Sequence, residues 1–221
     1  MKKIAKLIES LIMNKRKAEL RHWTKKYSEE KNAFSNDHYE YFFTKHFNFE
    51  NDAYTEKKIL DIGCGPRGSL EWADNALVRI GLDPLVNDYA KFGISDYKMT
   101  FIASNAEKIP FSDDYFDFIT SFNSLDHVDD LDLTINQIKL KLKPGGHFLL
   151  LTEVNHNPTP TEPIEFGWDI VFKFYPEFKL LDEMHYEKTD GLYQSILSGP
   201  NYNHNNTKKR SGILSAKFIK L

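Results

Sequence analysis

From residue 57 onward, short apolar runs alternate with mixed segments. Runs over 58–62 (Ile59, Leu60, Ile62), 78–82, 100–104, 116–122 and 147–152 are each bounded by Gly, Pro, Asn or Asp. Apolar stretches this short, enriched in β-branched and aromatic residues, predict buried strands. Helical patterns fall between them, near 68–76 and over 131–142, the second closed by Pro144-Gly145-Gly146. Two further strands are expected at 178–187 and 212–220, joined by a polar segment rich in Asn, Lys and Gly. Strands alternating with helices predict an α/β fold, a parallel sheet with helices on both faces.

Residues 1–50 read differently. Ile4, Leu7, Ile8, Leu11 and Ile12 recur at helical spacing and form one apolar stripe. Over residues 1–26, nine basic residues (Lys2, Lys3, Lys6, Lys15, Arg16, Lys17, Arg21, Lys25 and Lys26) stand with only Glu9 and Glu19. The expected role is a helix packed on the domain surface; a membrane-surface or partner helix is the alternative. Trp23, Tyr27, Phe34, Tyr39, Tyr41, Phe42, Phe43 and Phe47 follow, and suggest a small helical cap over a ligand site. The expected organisation is a cap over 1–50 and a core over 51–221, together one domain, as suits 221 residues.

Composition narrows the partners. A net charge of −3 gives no overall drive toward nucleic acid, and no apolar run has the length of a membrane span. Lys6 and Glu9 interrupt the stretch that would make a signal peptide. Cys64 is the one cysteine, so no internal disulfide can form, and a cytoplasmic location is expected. The oligomeric state stays open.

The strand ends carry the chemistry. Residues 57–68 read Lys-Lys-Ile-Leu-Asp-Ile-Gly-Cys-Gly-Pro-Arg-Gly, a strand running into a glycine-dense turn with Asp61 two residues before Gly63. Gly63, Gly65 and Gly68 have the spacing of a dinucleotide fingerprint, a weak signal alone. Asp83-Pro84 ends the second strand, 22 residues after Asp61. Its two oxygens match a vicinal diol such as a ribose. Asn105-Ala106-Glu107 and Ile109-Pro110-Phe111 follow the third strand, Phe122-Asn123 ends the fourth, and Leu142-Lys143-Pro144-Gly145-Gly146 precedes the fifth.

Taken together, residues 57–152 resemble the class I S-adenosylmethionine (SAM) methyltransferases, of the type 11-like group. The resemblance implies a Rossmann-like, seven-stranded, mostly parallel sheet whose final strand is antiparallel, with SAM as cofactor. It implies that Gly63, Cys64 and Gly65 cradle the amino-acid end of SAM while Asp61 holds its ammonium. Asp83 and Pro84 would meet the ribose, Asn105, Ala106 and Glu107 the adenine, and Phe122 and Asn123 the methionine moiety. Asn105 stands where the family usually has an acid. Arg67 is either a partner for the methionine carboxylate or a solvated residue. A nicotinamide oxidoreductase is the rival, disfavoured by segments 105–111 and 142–148.

His127, His156 and Glu153 follow strand ends that should border the methyl group. They are the expected catalytic set, because an alcohol needs its proton removed and histidine titrates near neutrality. The expected reaction is O-methylation of a small polar, hydroxylated or sugar-like acceptor. N-methylation, a SAM-binding module without turnover and a lipid methyltransferase are alternatives. The acids Asp126, Asp129, Asp130 and Asp132 are expected to cap helices and face solvent, with no metal bound. Cys64 is expected to pack rather than react, and Asp117 to serve a turn.

Overall fold

The computed structural model describes residues 2–221, with side chains described from residue 11 on. Ile4, Leu7 and Ile8 of the expected stripe therefore lie outside the described side chains. Seven strands form one sheet in the order β3-β2-β1-β4-β5-β7-β6. They are β1 (Lys58–Ile62), β2 (Val78–Leu82), β3 (Thr100–Ile102), β4 (Phe116–Phe122), β5 (Leu142–Val154), β6 (Phe178–Glu187) and β7 (Gly212–Lys220). Only β7 runs antiparallel to its neighbours, β5 and β6. Strand order reverses at β1, which pairs with both β2 and β4. A crevice opens at the carboxyl ends of the strands beside such a switch point.

Alternating side chains of β1 feed two cores. Leu60 and Ile62 pack on one face with Ile119, Leu150 and the buried Ile135 and Ile138 of α4 (Leu131–Lys141). Asp130 caps α4 by accepting the Leu133 N–H at 2.9 Å, as expected, whereas Asp126 of the same run is buried and does not face solvent. Ile59 packs on the other face with Phe118, Phe122, Leu149 and Leu151. There Phe42 and Phe43 of α2 (Tyr39–Phe43), together with Phe47, are fully or almost fully buried. The expected boundary at residue 50 thus falls inside a packed aromatic cluster. The rest of the N-terminal segment is α1 (Lys2–Glu29), whose Leu20, Trp23 and Tyr27 pack with Phe34 on Leu85, Tyr89 and Phe92.

The crossovers depart from the expected helices. Residues 68–76 form successive turns instead of a helix. Gly68 sits at φ +74°, and Arg79 takes the Leu70 and Glu71 carbonyls as its acceptors, which competes with helical bonding. Between β2 and β3 there is one short helix, α3 (Val86–Tyr89), followed by 3₁₀ turns. Strand β5 begins at Leu142, earlier than expected. Phe116 pairs with Leu142 and Phe118 with His147, so the Pro-Gly-Gly segment bulges out of the ladder. A last helix, α5 (Gly191–Ser198), precedes β7.

Candidate active site

A cavity of about 300 Å³ lies at the carboxyl ends of β1, β2 and β4, roofed by α1. Its floor is the turn after β1. Gly63 holds φ +68°, and a Cβ there would lie 2.3 Å from the Ser124 Cβ. Gly65 holds φ +58°, and a Cβ there would lie 2.7 Å from Cζ2 of Trp23. Only glycine satisfies both the backbone and the space. Cys64 is buried against Gly81, and burial pushes its thiol pKa well up.

Two carboxylates stand on this floor. Asp61 is buried and accepts from the hydroxyls of Ser69 (2.5 Å) and Thr120 (2.6 Å). Asp83 is buried as well, and accepts the Gly65 N–H at 3.2 Å on one oxygen and the Leu85 N–H at 2.8 Å on the other. Burial raises each to about 6, against those hydrogen bonds. Each Asp83 oxygen keeps a free lone pair, so the group can still take two hydroxyls. Asn123, just after β4, holds φ +55°, uncommon for a side-chain-bearing residue, and lines the cavity beside Phe122.

Toward the third strand, Pro84, Asn105, Ala106 and Glu107 line the same cavity. The Asn105 carbonyl oxygen, expected to meet adenine, accepts from Arg16 of α1 at 3.0 Å. Glu107 points its carboxylate to the backbone N–H groups of Asp129 (2.6 Å) and Asp130 (2.8 Å). Arg67 pairs with Glu30 and lies 4.8 Å over the Phe34 ring.

The three residues expected to act on the acceptor separate. His127 lines the cavity; His156 and Glu153 do not. Burial holds the His127 imidazole well below its ordinary pKa, so it is neutral. Its Nδ1 faces Glu19 at 3.7 Å, and its Nε2 faces Asp126 at 3.9 Å and Glu162 at 3.8 Å. His156 sits behind this group, with Nε2 3.4 Å from Asp126. Glu153 pairs with Lys188 at 2.5 Å.

Trp23 and Tyr39, expected in a cap over a ligand site, line the cavity, but sequence reasoning missed the rest of the roof: Lys15, Arg16, Glu19 and His22 of α1, with Tyr193 and Glu162. Lys15 forms an ion pair with Asp129. The signal available was the basic run of α1 opposite the acidic run after β4. Their attraction was legible as charge, but not as placement.

The residues present fit SAM. The Gly63 and Gly65 cradle has no room for side chains, Asp61 offers negative charge for an ammonium, and Asp83 offers a diol partner. The fold agrees with known structures: a putative methyltransferase from Bacillus halodurans superposes with a TM-score of 0.57 at 16% identity, covering 75% of this chain and 93% of that one. A ubiquinone/menaquinone biosynthesis C-methyltransferase of Vibrio parahaemolyticus is 37% identical over 110 residues, 43% of this chain and 40% of that protein. The tocopherol O-methyltransferase of Arabidopsis thaliana is 27% identical over 121 residues, 51% of this chain and 35% of that protein. The chain thus spans about two fifths or less of the length of these relatives. The methyltransferase domain family matches residues 14–198. With that match across most of its length and the 3-2-1-4-5-7-6 sheet, the chain belongs to the methyltransferase domain family and has the class I SAM-dependent fold.

Proposed function

We propose that this protein transfers the methyl group of SAM to a hydroxyl of a small polar metabolite in the cytoplasm. One observation carries the acceptor chemistry: a half-buried His127 on the cavity wall, its buried Nε2 facing two carboxylates and no donor among the described residues. A hydroxyl is a weak nucleophile until its proton is drawn away, and this cluster is the group placed to draw it.

SAM supplies a methyl group already activated on a sulfonium. The chain's own residues do the rest. The 63–65 turn and Asp61 hold the amino-acid end, and Asp83 holds the ribose. Asn105, Ala106 and Glu107 border the adenine. Trp23 and its neighbours on α1 cover the site and keep water out. The acceptor enters beside Asn123, His127 and Glu162. Glu153, tied to Lys188 and off the cavity, is left out of the catalytic set. His156 acts through Asp126 rather than on the acceptor. The tocopherol O-methyltransferase among its relatives supports oxygen as the target, and the C-methyltransferases keep carbon as the competing one.

The test is a screen of hydroxylated, amine and enolisable metabolites for release of S-adenosylhomocysteine, with the product's methyl carbon located by NMR. Turnover on hydroxyl acceptors supports the reading. His127→Ala should then lower turnover by about 10²–10⁴-fold with SAM affinity nearly intact. Turnover confined to amines or to carbon acids contradicts it.

A further inference from the structure

At the acceptor end three buried polar atoms have no hydrogen-bond partner among the described residues: Asp126 Oδ1, His127 Nε2 and His156 Nε2. Asp126 is 1% exposed and His156 5%. The geometry of the two histidines sharpens the conflict. Nδ1 of His156 lies 3.1 Å from the Asn157 carbonyl oxygen and must donate to it. In the neutral ring Nε2 then carries a lone pair, and it faces the Asp126 carboxylate at 3.4 Å. His127 stands with Nδ1 3.7 Å from Glu19 and Nε2 3.9 Å from Asp126 and 3.8 Å from Glu162, too far on every side for a hydrogen bond. The unpartnered atoms of Asp126, His127 and His156 thus converge with the Glu162 carboxylate on one spot at the cavity wall. Such an arrangement calls for a positive centre.

We propose that Asp126, His127 and Glu162 form a seat for a first-row divalent cation. The ligating atoms of the three all lie within 4.8 Å of one another. Ligands about 2.1 Å from a tetrahedral metal stand roughly 3.4 Å apart. The two separations from His127, 3.8 and 3.9 Å, exceed that by about half an ångström, and the Asp126 and Glu162 oxygens, within 4.8 Å of each other, would draw together on the ion. One imidazole with two carboxylates suits zinc, manganese or iron better than calcium or magnesium. Glu19 behind Nδ1 supplies the outer carboxylate that metal-binding histidines commonly have. Three protein ligands leave a coordination position open. It faces the cavity, because His127 and Glu162 both line it. The consequence rests on the methyl-transfer reading and changes the part His127 plays in it. With its Nε2 on the cation His127 is a ligand and not the base, and an acceptor hydroxyl bound there would be held in place and made more acidic by the cation. The expectation that the acids after β4 bind no metal is thereby revised, through Glu162 and the buried Asp126 rather than through the exposed acids.

The full chain, stripped with EDTA and dialysed, is titrated with Co²⁺ and followed by its visible bands, and with Zn²⁺ by calorimetry. One equivalent per chain is expected, with affinity lowered at least tenfold in both His127→Ala and Glu162→Gln. Circular dichroism checks that both variants fold, and Glu162→Gln is nearly isosteric. His185 and His204 make a second imidazole pair, 2.8 Å apart, so His204→Ala is the control. The seat is overturned if no stoichiometric binding occurs, or if binding survives His127→Ala and Glu162→Gln and is lost in His204→Ala. SAM titrated into the same protein separates the two proposals. SAM binding without metal binding removes the seat alone. Metal binding without SAM binding removes the methyl-transfer reading and leaves the seat standing.

Discussion

The indole of Trp23 lies directly against the backbone of Gly65, so that a single added Cβ on Gly65 would come within 2.7 Å of the ring. This contact ties the first helix to the turn that forms the cofactor floor. Arg16 to Asn105 and Lys15 to Asp129 fasten the same helix at two further points, and Glu30, just past its end, pairs with Arg67. The roof and the floor of the site are therefore one mechanical unit, and a ligand entering the cavity must work against these contacts.

Gly65→Ala should reveal the two costs at that position. The φ of +58° penalises any side chain, and the indole adds a clash. A loss of about 1–3 kcal/mol in stability is expected, read from urea denaturation. Trp23→Ala in the same chain should return only the part due to the clash. If the double variant regains full stability, the backbone conformation is not the constraint described here.

Truncation should divide the first 50 residues into two parts. Removing residues 1–32 takes away the roof, and should leave a folded chain that binds SAM more weakly. Removing residues 1–50 also takes out Phe42, Phe43 and Phe47, each buried to 1% exposure or less. Deleting large buried aromatics costs about 3–5 kcal/mol apiece. The longer deletion should therefore fail to fold cooperatively in a thermal melt. Equal melting behaviour of both truncations would contradict the packing of α2 on the sheet.

The same division marks what was legible in the sequence. The β1 turn, Asp83, the third-strand segment and the sheet itself could be read, because strand ends and glycine turns are local signals. Phe42 and Phe43 were legible as aromatics, but whether they cap or fill a core depends on partners such as Phe122 and Leu149, far along the chain. Residues 68–76 looked helical because propensity is local, while the bonds from Arg79 that hold the turns come from the next strand. His127 was placed on the cavity by its strand end. Glu162 gave no signal at all, since a loop residue 35 positions later reaches His127 only through the tertiary fold.

Binding of SAM should depend on pH with a defined sign. Burial raises Asp61 and Asp83 to about 6, so both are largely protonated at pH 5. Ribose hydroxyls and an ammonium are held best by the ionised forms. Affinity should thus rise as pH climbs through 6, by up to about tenfold per unit for each group. It should level near pH 7, then fall above about pH 8 as the α-amino group of SAM loses its proton. Calorimetric affinities at pH 5, 6, 7 and 8 would show this. A flat profile would mean that neither carboxylate meets the ligand.

The most direct test of the central claim is titration calorimetry of SAM into the wild-type chain and into Asp83→Ala at pH 7.5. The claim is that the cavity between the 63–65 turn and α1 is the SAM site, with Asp83 on the ribose. Charge-assisted hydrogen bonds contribute about 1.5–3 kcal/mol each. One SAM per wild-type chain is expected, and an affinity at least about tenfold lower in a folded Asp83→Ala variant. Wild-type protein that does not bind SAM, or an Asp83→Ala variant that binds it unchanged, would contradict the account.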